Sequence, residues 1–280
     1  MKKTTMASPN EIVVEPAHGW FQLRLKELWD FRELLFFFTW RDITVRYKQT
    51  VLGASWAIIQ PVMTMLIFSI IFGRLAKLPS DGIPYPIFSY TALLPWQLFS
   101  SGVGNASASL VGNQNMITKT YFPRLILLIS TVLSGLVDFA LSFLVLLVMM
   151  VFYKISFSWR ILALPVFILL ALITALAVGM WLAVFNVRFR DVKYITSFLM
   201  QFWQYATPIA YSISLIPKQW RTLYGLNPMT GVIGGFRWAM LGQSFDLGPI
   251  VIMSVIVVII LFLGGLVYFQ GMEKTFADLV

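Results

Sequence analysis

The chain has 280 residues, 59% of them apolar and only 12% charged, roughly half the charged fraction of a water-soluble domain. It has no cysteine and one histidine, His18, in a polar stretch near the N-terminus; this excludes disulfides, thiolate chemistry and a histidine-based metal site or proton relay. The formal charge of +9 does not point to nucleic acid, because the basic residues fall between apolar runs and form no dense patch interleaved with aromatics.

Residues 1–19 are polar and lack the early apolar core of a secretory signal. Over 20–48 aromatics mix with charge. Leu28, Phe31, Leu35 and Phe38 recur at helical spacing, with Arg24, Glu27, Asp30 and Arg41 supplying polar positions. The spacing predicts an amphipathic helix, which can lie in the membrane interface or pack on protein.

Crossing about 30 Å of hydrocarbon takes about 20 apolar residues in a helix. Six stretches reach that length: 49–73, with its apolar heart over 51–72; 82–118, with a span near 87–110; 125–153; 161–187; 194–217; and 247–272. The only charge in any of these hearts is Asp138. Runs this long suit helices rather than the tilted strands of a barrel, so the expected fold is an all-α polytopic membrane protein with six transmembrane helices. Flanking basic residues set the orientation. With the N-terminus inside, the inner segments 1–50, 113–124, 187–194 and 273–280 hold eight, two, three and one; the outer segments 73–86, 153–160 and 217–246 hold two, two and three. Both ends are therefore expected in the cytoplasm, with a cytoplasmic segment over 1–50, a six-span domain over 51–272 and a tail over 273–280.

Two connections stand out. The stretch 113–124 is short and polar and reaches Pro123, which suits the first turn of the next helix; by composition it is an ordinary cytoplasmic turn. Over 222–236 the chain is uncharged but too short to span, and Asn227-Pro228 breaks it. Gly231, Gly235 and Ala239 then recur every four residues, a stripe that permits close helix packing. Two short re-entrant helices over about 217–245 are predicted, lining or capping a passage. Asn227, Pro228, Gly231, Gly235, Arg237 and Trp238 are the outer-gate candidates.

Chemistry is sparse. Half of the twelve carboxylates lie before residue 43, no pair has acid–base spacing, and no Gly-Lys dipeptide is present to form a phosphate-binding loop. If ATP drives transport, another chain binds it. Asp138 can anchor helices to one another, line a channel or couple ions; ion coupling ranks last, because carriers of that kind carry several such groups and inverted repeats. Trp96, Trp159 and Trp220 suit interfacial belts. Phe198, Phe202, Tyr205 and Ile209 are expected on one face of the fifth span, near Gln201, Gln204 and Tyr211. Trp56 and Gln60 pair in the first span, and Ser101, Asn105 and Ser109 form a stripe in the second. Aromatic faces with amide and hydroxyl rims match sugar rings; filler against lipid or neighbouring helices is the alternative for any one of them.

These motifs fall in a known order. The run from Trp40-Arg41-Asp42 through Arg46-Tyr47-Lys48-Gln49 to Gly53, followed by Trp56 and Gln60-Pro61, resembles the lead-in to the first span of ABC-2-type permeases, the membrane subunits of polysaccharide exporters such as those for O-antigen and teichoic acid. Lys119-Thr-Tyr-Phe-Pro-Arg124, Val187-Arg-Phe-Arg-Asp191-Val192, Leu226-Asn-Pro-Met-Thr-Gly231 and Phe236-Arg-Trp-Ala-Met-Leu-Gly242 complete the resemblance over about 20–275. It implies a homodimer in the cytoplasmic membrane, an interfacial N-terminal helix, gating by the re-entrant helices and two copies of a separate ATPase subunit that holds ATP and Mg; this chain would carry no cofactor and no catalytic residue. Its cargo would be a lipid-linked polysaccharide, with teichoic acid, capsule, a small molecule or a lipid as alternatives. By the same resemblance, Arg41, Arg46, Lys48, Asn113, Gln114, Lys119, Arg188 and Asp191 are the ATPase-contact candidates, and Trp56, Gln60, Ser101, Asn105, Phe198, Phe202, Tyr205 and Tyr211 the channel candidates.

Overall fold

The computed structural model describes residues 25–48, 53, 55–189, 191–243, 247–273 and 276, and among these every regular element is helical. Short α1 (Leu25–Asp30) and α2 (Arg32–Lys48) precede α3 (Ser55–Phe68), which continues as a π-helical stretch over Ser69–Leu75. Next come α4 (Tyr85–Gly112), the single turn α5 (Gln114–Ile117), α6 (Leu125–Phe152), α7 (Leu164–Arg188) and α8 (Val192–Ala206). The chain closes with α9 (Lys218–Tyr224), α10 (Pro228–Leu241) and α11 (Leu247–Glu273). The sequence features at 20–24, 49–52, Arg190 and most of the 273–280 tail lie outside the described residues.

Among the described residues four helical stretches are long and apolar enough to cross a membrane: Ser55–Leu75, Leu125–Phe152, Trp159–Arg188 and Gly248–Glu273. The other two expected spans differ from these for separate reasons. α4 covers the expected range, but Ser, Asn, Gln and Pro dilute its hydropathy. It packs on α3, α6, α7, α8 and α10, and its buried positions run from Ile87 to Leu110. A helix that meets protein on most sides need not be apolar all round. The stretch 194–217 is not one helix. α8 stops at Ala206 after 15 residues, about 22 Å at the α-helical rise; Thr207 is extended, the conformation favoured just before a proline, here Pro208.

Prolines inside the remaining helices leave identifiable vacancies. Pro61 sits within α3 and has no N–H to bond the carbonyl of Ala57 four residues back. The Ser142 hydroxyl, reaching across from α6, donates to that carbonyl at 2.8 Å. The freed group is thus satisfied by a neighbour, as an apolar surrounding requires.

α2 runs along α6 rather than across its end. Phe38, 1% exposed, meets Phe122 edge-on at 5.7 Å just before α6 begins, whereas Arg46 and Tyr47 meet Asp138, midway along α6. The predicted face of Leu28, Phe31, Leu35 and Phe38 packs on the protein. Trp29, Phe36, Phe37 and Trp40 remain exposed on the other side.

Polar contacts between connections define two ends of the bundle. At one end Tyr121 donates to Glu27 at 3.0 Å, and the Arg124 amide donates to Glu273 at 3.1 Å. At the other, Asp81 accepts from Ser212, from Gln243 and from Ser214 at 2.7 Å, while Arg160 donates to the Gly242 carbonyl at 3.3 Å. Gly242 ends α10 at φ +67, a left-handed turn that glycine adopts without strain.

Burial works against the ionised form of Asp81, but the hydrogen bonds from Ser212, Ser214 and Gln243 outweigh it and hold the carboxyl below the ordinary aspartate value. A depressed folded value means the contribution is complete above the unfolded value of about 4 and is lost as pH falls through the folded one. Melting curves of purified wild type and Asp81→Asn should therefore differ most at neutral pH, and the gap should close in acid.

Candidate functional site

A cleft of about 460 Å³ opens between the end of α2 and helices α3, α4 and α6. Four of the predicted channel residues line it. Trp56 and Gln60 are one turn apart on α3, and Ser101 and Asn105 are one turn apart on α4. Residues four apart share a helix face, so each predicted pair enters the cleft as a unit. The same periodicity adds Gln97, one turn before Ser101, which the sequence reading passed over. Ser109, the third member of the predicted stripe, is buried and bonds back to the Ala106 carbonyl at 2.8 Å; it does not line the cleft.

Asp138 closes one side. One of its carboxylate oxygens accepts from Arg46, the other from the Tyr47 hydroxyl, and Arg46 also donates to Ser134 at 3.3 Å. The carboxylate thus ties the last turn of α2 to the middle of α6 and at the same time lines the cleft, combining two of the roles open to it from sequence. By contrast, the side-chain amides of Gln60, Gln97 and Asn105 make no hydrogen bond among the described residues, whereas the Ser101 hydroxyl bonds to the Gln97 carbonyl at 2.7 Å.

The outer-gate candidates form a second constellation. Asn227 caps α10 by accepting from the Met229 amide at 3.1 Å, and Pro228 occupies the first helical position. The same Asn227 side chain accepts from Trp203 Nε1 at 2.9 Å and donates to Thr207 at 2.9 Å, binding the start of α10 to the end of α8. Arg237, 3% exposed, donates to the carbonyls of Pro208 at 2.8 Å, Ile209 at 2.7 Å, Tyr211 at 3.4 Å and Phe88 at 3.3 Å. Its guanidinium also lies 3.5 Å from the centre of the Phe88 ring. The cation thereby holds the broken backbone that follows α8. Trp238 faces Arg160 at 5.3 Å. Gly231 packs against Ser254 of α11 and Gly235 against Phe167 of α7.

The remaining channel candidates do not join the cleft. Phe198, Phe202 and Tyr205 stand on one face of α8, exposed by 71%, 64% and 63%. Ile209 leaves that face because the helix ends before it, and it is fully buried. Tyr211 lies in the irregular stretch beyond α8, where its carbonyl serves Arg237.

Among the candidates for ATPase contact, Lys48, Gln114, Lys119, Arg188 and Asp191 are exposed. Asn113 folds back to the Ser109 carbonyl at 2.8 Å. Arg41 pairs with Asp42 at 2.8 Å and covers the Phe38 ring at 4.8 Å, and Arg46 is directed into the cleft. Among the described residues no group of three His, Cys, Asp or Glu side chains could hold a metal ion.

The family model for the ABC-2 type transporter matches residues 33–241, which contain the whole cleft and the whole Asn227–Arg237 constellation. The chain belongs to the ABC-2 transporter family. Among its relatives, this ABC-2 chain is 30% identical over 258 residues to the O-antigen export system permease protein RfbA of Myxococcus xanthus, covering 91% of this chain and 98% of that one. An RfbA permease of Klebsiella pneumoniae is 29% identical over 250 residues, 89% of this chain and 95% of the other. The polysialic acid transport protein KpsM of Escherichia coli is 23% identical over 211 residues, 72% and 78% of the two chains.

Proposed function

We propose that this ABC-2 chain is the membrane permease of an ATP-driven exporter that moves a lipid-linked polysaccharide across the cytoplasmic membrane. The observation that carries the reading is likeness along almost the full length of a permease named for O-antigen export. The cleft fits it chemically. Amides without a hydrogen bond among the described residues, beside Trp56 and Phe139, offer the mixture of polar rim and flat apolar face that a sugar ring presents.

In this reading α8 and α4 complete six crossings, α9 and α10 turn back at the outer face, α1 lies at the inner interface, and α2 rises from it along α6. The grouping of Glu27, Tyr121, Arg124 and Glu273 at one end supports a common cytoplasmic side for both termini. The exposed aromatic face of α8 meets a second copy, giving a homodimer. Two ATPase subunits, which bind ATP and Mg, dock where Gln114, Lys119, Arg188 and Asp191 are exposed; Lys48 follows Tyr47 to the level of Asp138 and is left out of that surface. Because Arg46 and Tyr47 clamp α2 to Asp138, displacement of α2 by the ATPase moves one wall of the cleft.

Deletion of the gene should leave lipid-linked polymer inside the cell and strip it from the surface, with both restored by the gene in trans. Normal surface polymer in the deletion strain would overturn the assignment. The purified chain alone should show no ATPase activity.

A further inference from the structure

We infer that the cleft selects an uncharged, hydroxyl-rich stretch of glycan and turns away an acidic one. The inference rests on the export reading above and adds to it the chemical class of the segment bound. Three carboxamides with no hydrogen bond among the described residues, Gln60, Gln97 and Asn105, converge on the space, and each presents two N–H donors and an acceptor oxygen. Such groups answer hydroxyls, which are both donors and acceptors, and can turn to suit either.

The charged part of the lining has the opposite character. Arg46 is the one cation among the described lining residues, and it is already engaged by Asp138 and Ser134. Both oxygens of Asp138 are occupied, one by Arg46 and the other by Tyr47. A phosphodiester or sugar carboxylate entering here would leave water without finding an uncommitted cation among the described lining residues, because Arg46 and Asp138 already balance each other. An anion that loses its water and gains no partner is rejected, and a penalty of this kind is a source of specificity.

The permease–ATPase complex, purified into nanodiscs, provides the test. Binding is read from the tryptophan fluorescence component that Trp56→Phe removes, with a malto-oligosaccharide as neutral probe and an oligosialic acid of equal length as acidic probe. The neutral probe should bind and the acidic one should not. Asn105→Ala and Gln97→Ala should each weaken the neutral probe by roughly three- to tenfold, the worth of one or two hydrogen bonds. Asp138→Asn removes the negative charge that balances Arg46 and should strengthen the acidic probe by about tenfold or more. Because that change also loosens α2 from α6, the paired variant Arg46→Gln/Asp138→Asn is measured beside it; it should keep the neutral probe and gain nothing for the acidic one.

Equal binding of the two probes by the wild type, no binding of the neutral probe (as when lipid fills the cleft), or an Asp138→Asn protein that still binds the neutral probe without gaining the acidic one would each overturn the inference. Any of these alongside intracellular polymer in the deletion strain would leave the export function standing.

Discussion

Replacing Arg237 with methionine should abolish accumulation of folded protein. The substitution keeps the bulk of the side chain but leaves the carbonyls of Pro208, Ile209 and Tyr211 without their donor, while the Phe88 carbonyl keeps its partner within α4. A buried polar group stripped of its partner costs about 1–3 kcal/mol, and three at one site add to roughly 5 kcal/mol, as much as the whole stability of many domains. Arg237→Lys should rescue only partly, because one ammonium cannot reach carbonyls arranged around a planar fork. Size-exclusion profiles and melting temperatures in detergent will show it. A methionine variant as monodisperse and heat-resistant as wild type would mean that water already serves those carbonyls.

Gly235→Leu should yield protein that inserts in the membrane but does not export. A Cβ at residue 235 would lie 2.1 Å from the Phe167 ring, so even the first added carbon requires α10 and α7 to separate. Overpacking of this kind costs about 1–3 kcal/mol for small additions, and a full leucine exceeds that range because Phe167 is held between helices. Gly104→Ala on α4, where nothing lies within 4 Å, supplies the control and should export normally. Surface polymer at wild-type level from Gly235→Leu would show that close contact between α7 and α10 is dispensable.

The cleft was half legible from sequence. Trp56 with Gln60, and Ser101 with Asn105, share faces by simple helical periodicity, and that periodicity also reaches Gln97. Arg46 was not readable in its place: contact with Asp138 spans 92 residues of sequence, and nothing local announces that α2 climbs along α6. The end of α8 is not visible in the sequence pattern because 194–217 stays uncharged past Ala206. Apolar content measures where a segment can be buried, while Thr207-Pro208 and the donors of Arg237 decide its backbone. For the same reason the buried guanidinium was read as one gate residue among several, although it organises the segment around it.

Timing follows from how α4 sits. Its helix is ringed by neighbours yet is less apolar than the four candidate spans, and two of its principal partners, α6 and α7, come later in the chain. During synthesis α4 therefore emerges with its serines and amides uncovered, before the surfaces that will shield them exist. Lipid alone is a poor host for such a segment. The insertion machinery must hold α4 until α7 has been made, so this protein's centre is the last part to settle, not the first.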